Sequence, residues 1–171
     1  MPVQHTPVYV TEAERLEQEN AARQVRDLPE RPRTYHIVTY GCQMNANESQ
    51  RLSGMLEAIG CCRCASVEEA DIVFFNTCCV RGGAEERVQG NVGALRPLKE
   101  ARPGMILGVC GCMMQQEEVV QQIRRSYPFV ELIFGTHVLH TLPQMINRLL
   151  KGERRVVDCY EGGGRENPIA E

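Results

Sequence analysis

The stretch DIVFFNTCCVR, residues 71–81, decides how the chain folds. Ile72 to Asn76 is apolar through its body, which predicts a strand buried on both faces. The run ends on Cys78. Two other apolar runs end the same way, YHIVTYGCQMN (residues 35–45) on Cys42 and MILGVCGCMMQ (residues 105–115) on Cys112. Cys42 and Cys78 are 36 residues apart, and Cys78 and Cys112 are 34 apart. Each gap is about the length of one strand–helix–strand passage. If the runs are parallel strands of one sheet, all three cysteines leave at the same edge. Open α/β sheets place their sites outside the carboxyl ends of their strands.

The rest of the chain fits that frame. Tyr35 to Tyr40 reads as the first strand. Leu52, Met55, Leu56 and Ile59 follow at helical spacing, with Asn47 as N-cap, Gln50 as its box partner and Gly60 as the stop. Cys61 to Ala65 is a weak second strand. Ala84, Val88, Asn91, Val92 and Leu95 share a helical face that Pro97 ends. Met105 to Cys110 is the fourth strand, Val119, Val120 and Ile123 mark a helix, and Val130 to Phe134 is the fifth strand. A last helix has Thr141 as N-cap and Pro143 and Gln144 in its first turn. Its apolar face is Leu142, Met145, Ile146, Leu149 and Leu150, and Gly152 closes it. The predicted architecture is α/β: a five-stranded, mostly parallel, flavodoxin-like sheet with helices on both faces, in the order 2-1-3-4-5. In that order the strands preceding Cys42, Cys78 and Cys112 are neighbours, about 4.8 Å apart.

Residues 1–33 differ in character. TEAERLEQENAARQVRDLPERPR has helix formers but a thin apolar stripe, broken by Pro29 and Pro32. It reads as a tail or loosely docked helix with a short linker. Residues 34–152 form the domain. Residues 153–171, ending EGGGRENPIAE, are Gly-rich and polar and read as a linker leading out.

Composition narrows the function. Of the 171 residues 43% are hydrophobic and 24% charged, ordinary values for a soluble domain. The net charge of −3 argues against a free-standing nucleic-acid binder, which would carry a basic excess. No apolar run approaches the ~20 residues of a membrane span, and no secretory segment opens the chain. A cytoplasmic, reducing setting follows as the expectation. There, nine cysteines point to metal chemistry before disulfides.

Three thiolates from three distant loops favour an iron–sulfur cluster over zinc, whose compact sites show a CxxC knuckle. A [4Fe–4S] cluster takes four cysteines, so three would leave one iron open. The alternative is a zinc-binding flavodoxin-like module with no catalytic role. Cys61 and Cys64 make a CxxC, but on a strand they would face opposite ways. Cys62 and Cys64 read as packed small hydrophobes, Cys79 and Cys110 as stand-ins at best, Cys159 as a free thiol. Arg81-Gly82-Gly83 could cradle an anion at a helix start, though no phosphate loop accompanies it. His137 and His140 could ligate zinc, but read first as surface histidines. Arg148, Lys151, Arg154 and Arg155 read first as a solvated helix end, with RNA phosphate contact as the functional alternative.

TYGCQMNANES, NTCCVRGGAEERV, GVCGCMMQQ and IFGTHVLHTLPQMI, in that order, resemble the N-terminal domain of the radical-SAM methylthiotransferases. The likeness runs from about Thr34 to Lys151. Cys-Gln-Met-Asn after the first strand resembles the MiaB-type branch, which acts on tRNA. The resemblance implies an auxiliary [4Fe–4S] cluster on Cys42, Cys78 and Cys112, supplying sulfur or methylsulfur. It also implies S-adenosylmethionine and a second [4Fe–4S] cluster in a separate radical-SAM domain, and a C-terminal RNA-binding domain. Together these would methylthiolate an isopentenyl-adenosine beside the anticodon of tRNA. Two departures stand out. Cys79 occupies the usual small-residue position of the second motif. No CxxxCxxC for the radical-SAM cluster occurs in the 171 residues. The expectation is therefore a fragment that binds a cluster, carries no catalytic residue of its own and does not complete the reaction alone.

Overall fold

The computed structural model describes residues 10–41, 43–78 and 84–159. In chain order the elements are α1 (Glu12–Asp27), β1 (Thr34–Thr39), α2 (Gln43–Ala58), β2 (Cys62–Arg63), β3 (Ile72–Thr77) and α3 (Ala84–Gly93). They continue with α4 (Arg96–Ala101), β4 (Ile106–Gly111), α5 (Glu117–Ser126), β5 (Leu132–Phe134), α6 (Leu142–Leu150) and β6 (Val156–Asp158). The sheet order is β2-β1-β3-β4-β5-β6, and every pairing is parallel. The expected α/β fold and its 2-1-3-4-5 order stand. The five-strand count does not: β6 pairs with β5, Leu132 opposite Val156, and makes a sixth.

All six residues of β3 and all six of β4 are buried, as strands covered on both faces require. Side-chain alternation sends their residues into two cores. On one face Ile72, Phe74, Ile106, Leu132 and Phe134 pack under α1, α2 and α6. There Phe74 and Phe134 meet edge to face, centroids 5.8 Å apart. On the other, Val73, Phe75, Leu107, Val109 and Ile133 pack under α3 and α5.

Several local expectations change. Asn47 lies inside α2, which already begins at Gln43. α3 ends at Gly93, ahead of Leu95 and Pro97; Pro97 sits instead in the first turn of α4, where its missing N–H costs nothing. Thr141 makes no cap bond. Its hydroxyl donates to Val138 O at 2.7 Å, because a 3-10 turn (Thr136–Thr141) leads straight into α6. Cys62 is exposed rather than packed, on the short edge strand β2. Arg155 is unavailable for a phosphate: its guanidinium donates to Val130 O, Arg124 O and Tyr127 O at 2.8, 3.1 and 2.8 Å. Arg148 pairs with Glu153 at 2.9 Å. The segment 161–171 lies outside the described residues.

The N-terminal segment is a docked helix. Thr11 and Glu14 cap it reciprocally: Glu14 N–H donates to Thr11 Oγ1 and Thr11 N–H to Glu14 Oε2. Its thin stripe, Ala21, Ala22 and Val25, is buried, and small side chains let it approach closely. Asn147 Nδ2 of α6 donates to Gln24 Oε1 at 2.8 Å. Beyond the helix, Arg31 holds Arg26 O and Gly60 O, both at 3.0 Å.

Val25 is fully buried and Leu16, on the same helix, is 55% exposed. Val25→Ala should therefore cost about 2 kcal/mol of unfolding free energy, and Leu16→Ala about 0.5 kcal/mol or less. Urea unfolding midpoints check this. Equal small effects would mean that α1 does not dock.

Candidate metal centre

Register places the three cysteine-bearing turns. Thr39 of β1 pairs with Asn76 of β3, and Asn76 with Cys110 of β4, so three strand ends lie in one row. Cys42 follows that row by three residues in sequence, Cys78 and Cys112 by two each. Cys42 itself, Cys79 and Arg81-Gly82-Gly83 lie outside the described residues. The structure does bring Cys78 and Cys112 to adjacent strand ends on the carboxyl side of the sheet. Cys78 is 5% exposed and Cys112 half-buried. The Cys112 thiol donates to Thr77 O, the carbonyl directly before Cys78, at 3.6 Å.

Two glycines make this convergence possible. Gly41, the residue before Cys42, has φ +94, and Gly111, the residue before Cys112, has φ +100. Both angles favour glycine. A Cβ on Gly41 would fall 2.7 Å from Cys78 Sγ and 2.4 Å from its Cβ. One on Gly111 would fall 2.3 Å from Thr77 O and 2.8 Å from Asn76 Oδ1. The backbones entering the first and third cysteine turns thus press against the end of β3.

Beneath the turns lies a buried polar network that sequence reasoning missed. Asn45 Nδ2 donates to Thr77 O at 2.7 Å, and Asn76 Nδ2 returns a bond to Asn45 O at 2.8 Å. Asn76 also donates to Ser49 Oγ at 3.0 Å, and Ser49 shares a 2.7 Å bond with Thr39 Oγ1. Thr77 Oγ1 donates to Cys110 O at 2.6 Å. The start of α2 and the ends of β1, β3 and β4 are tied together. The available signal was the Asn-Thr pair at the end of an otherwise apolar strand run.

The remaining cysteines separate from these by surroundings. Burial pushes the Cys110 thiol well above its ordinary value, and nearby Glu48 adds to the shift. Burial likewise takes Cys61 to about 11 and Cys159 to about 12. Such thiols resist the ionisation that metal ligation needs. Cys61 and Cys159 instead donate to carbonyls, Pro32 O at 3.3 Å and Ile133 O at 3.5 Å. Cys64 donates to Tyr35 O at 3.3 Å. Burial lowers the pKa of His140. His137 packs over Gly135, where a Cβ would sit 3.0 Å from its Nδ1.

Among the described residues no three His, Cys, Asp or Glu side chains gather as a metal-binding group. The fit to a three-thiolate centre therefore rests on the donors at hand. Cys78 and Cys112 are soft donors at neighbouring turns, and neither is in a disulfide. The third turn arrives through Gly41 against Cys78. This donor set fits an iron–sulfur cluster.

Residues 34–135 match the model of a family described as "Uncharacterized protein family UPF0004". A tRNA-2-methylthio-N(6)-dimethylallyladenosine synthase of Caldicellulosiruptor saccharolyticus is 50% identical over 129 residues, 75% of this chain and 27% of its own length. Its namesake in Desulforamulus reducens is 52% identical over 126 residues, 74% of this chain and 28% of its own. The one from Acetivibrio thermocellus is 39% identical over 165 residues, 92% and 34%. The chain thus spans about a third or less of the length of these curated relatives. With 34–135 matched and the four motifs in order, the chain belongs to the uncharacterized protein family UPF0004, as a MiaB-type N-terminal domain.

Proposed function

We propose that this chain is the auxiliary cluster domain of a tRNA-2-methylthio-N(6)-dimethylallyladenosine synthase, a transferase of tRNA processing. The observation that carries the reading is the meeting of turns at the end of β3: Cys112 on Thr77 O and Gly41 against Cys78. Relatives 50% and 52% identical to this chain over their matched residues bear the name of that enzyme. Cys42, Cys78 and Cys112 would hold a [4Fe–4S] cluster. The chemistry such a cluster supplies here is one iron open to an exchangeable sulfur ligand.

The protein's own part is positional. Residues 34–152 form the cluster-binding unit, with α1 and β6 packed on it. Cys78 is drawn under the surface, while the half-buried Cys112 marks the side from which a partner domain and substrate reach the centre. Buried Met113 and Met114 wall the third turn with apolar side chains. S-adenosylmethionine, the second cluster and the grip on the tRNA anticodon loop belong to the radical-SAM and C-terminal domains of the whole protein. The segment after β6 would serve as the linker toward them. A base in a loop is the kind of RNA target that proteins select by sequence. The setting is cytoplasmic, where thiols stay reduced; no helix among the described residues is long and apolar enough to cross a membrane.

Anaerobic reconstitution with iron and sulfide, read by metal analysis and Mössbauer spectroscopy, tests the reading. About four irons per chain, one of them distinct, is the expected result. Cys42→Ala, Cys78→Ala and Cys112→Ala should each lose the cluster, and Cys79→Ala and Cys159→Ala should keep it. Stoichiometric zinc with no bound iron would establish the zinc module instead.

Gly111→Ala offers a test that leaves every thiol in place. The Cβ must displace the Thr77 peptide, so iron uptake should fall about tenfold or more. Uptake equal to wild type would show that the close approach is not needed.

A further inference from the structure

The net charge of −3 is not spread evenly over the chain. Segments 92–98, 119–130 and 154–157 contain Arg96, Arg124, Arg125, Arg154 and Arg155 and no Asp or Glu. The fold joins them at the turn after α5. Arg96 donates to Ser126 O at 3.2 Å, and Arg155 donates to Arg124 O and Tyr127 O at 3.1 and 2.8 Å. These bonds satisfy carbonyls at the end of α5 and suit its dipole, which accounts for two of the cations. Arg124 and Arg125 take no part in that. Both side chains are exposed, and among the described residues neither guanidinium has a hydrogen bond or an ion pair. Burial lowers the pKa of Arg155, and the charge of Arg124 lowers it further, so like charges are held side by side. Two rings lie in the same turn. Tyr127 and Phe129, both half-buried, meet edge to face with centroids 6.0 Å apart, and the Arg96 guanidinium lies over Phe129 at 5.1 Å.

From this grouping we propose that the turn after α5 binds RNA, with Arg124 and Arg125 on backbone phosphates and the Arg96–Phe129 stack against a base. That this RNA is the tRNA substrate rests on the proposed function above. Charge alone would fit an acidic protein segment equally well. The stacked guanidinium and the two rings favour RNA, because bases offer flat faces to stack on and carboxylate side chains do not. The place in the fold says which part of the polymer is held. α5 begins beside the turn of Cys112 and ends just before β5, so the patch stands at the amino edge of the sheet. The six residues of β4 separate the two edges by about 20 Å. A base reacting at the cysteine edge does not reach the patch. The patch therefore grips the same RNA away from its target base, and contributes affinity and orientation rather than chemistry.

The experiment titrates a fluorescein-labelled RNA stem-loop with the full 171-residue chain and follows anisotropy over a range of salt concentrations. The double variant Arg124→Gln, Arg125→Gln should bind about tenfold more weakly, and the slope of log K against log salt should fall by about 2, one for each phosphate contact. Arg124→Lys with Arg125→Lys keeps both charges and should restore most of that slope, which a merely structural loss would not. Arg15→Gln with Arg23→Gln removes the same charge from exposed positions on α1 and should bind like wild type. No binding of the stem-loop by the wild-type chain, or equal weakening by the α1 pair, overturns the inference. So does a polyglutamate peptide that displaces the RNA as well as unlabelled RNA of equal charge, which would assign the patch to an acidic protein. None of these results touches the cluster reading, which stands or falls on iron uptake. A chain that binds the stem-loop at this turn but takes up no iron overturns that reading and leaves the RNA contact standing.

Discussion

One peptide carbonyl, that of Thr77, holds the carboxyl edge of the sheet together. It ends the central, fully buried strand β3 and precedes Cys78. Asn45 reaches it from α2, Cys112 from the turn after β4, and Gly111 lies against it closely enough to forbid a side chain. Everything that brings distant cysteines to one place acts through this point. The parallel register supplies the row of strand ends, and the carbonyl fixes how the turns leave it.

Such a point is not there for stability. A hydrogen bond of this kind contributes about 1 kcal/mol net, while an unsatisfied buried partner costs about 1–3 kcal/mol. Apolar residues of similar shape at Asn45, Asn76 and Ser49 would fill the same space at no such risk. What the network adds is direction. Each amide has a defined donor and acceptor side, and the reciprocal pair, Asn45 to Thr77 O and Asn76 to Asn45 O, admits one relative placement of helix and strand. The apolar cores on the two faces carry the stability, and the polar edge sets geometry.

The parts of this molecule that were legible in the sequence are those written as periodicity. The run IVFF and its two counterparts are long enough to announce buried strands, and their spacing fixes the order of the sheet. Leu52, Leu56, Ile59, Val119, Val120 and Ile123 fall on helical faces that the structure buries. The parts that were not legible depend on partners distant in sequence. β6 is three residues long and becomes a strand because β5 offers its edge. α1 docks on alanines, which give almost no apolar signal but permit close approach to α6. Asn47 had the composition of a cap, yet α2 already begins at Gln43, where Asn45 is held by Asn76 across the sheet. That tertiary bond is invisible in a local window of sequence. At the centre the positions of Cys78 and Cys112 were legible, and the Asn-Thr support beneath them was not.

Number alone does not explain how nine cysteines divide their work. Cys61, Cys110 and Cys159 are as buried as Cys78, and the first and last each donate to a carbonyl. Their surroundings hold them protonated: low-dielectric burial disfavours a thiolate, and for Cys110 the carboxyl of Glu48 disfavours it further. Cys110 is the instructive case, because it is two residues from Cys112. Alternation turns its side chain into the core with Phe74 and Phe134, while its carbonyl accepts from Thr77. The intervening Gly111, with its positive φ, ends the strand and redirects the chain, so that Cys112 enters a 3-10 turn at the surface. One residue earlier or later, the same thiol would be core. The selection of a ligand here is therefore a backbone event, made by a glycine that could not be replaced without displacing the carbonyl on which the whole edge depends.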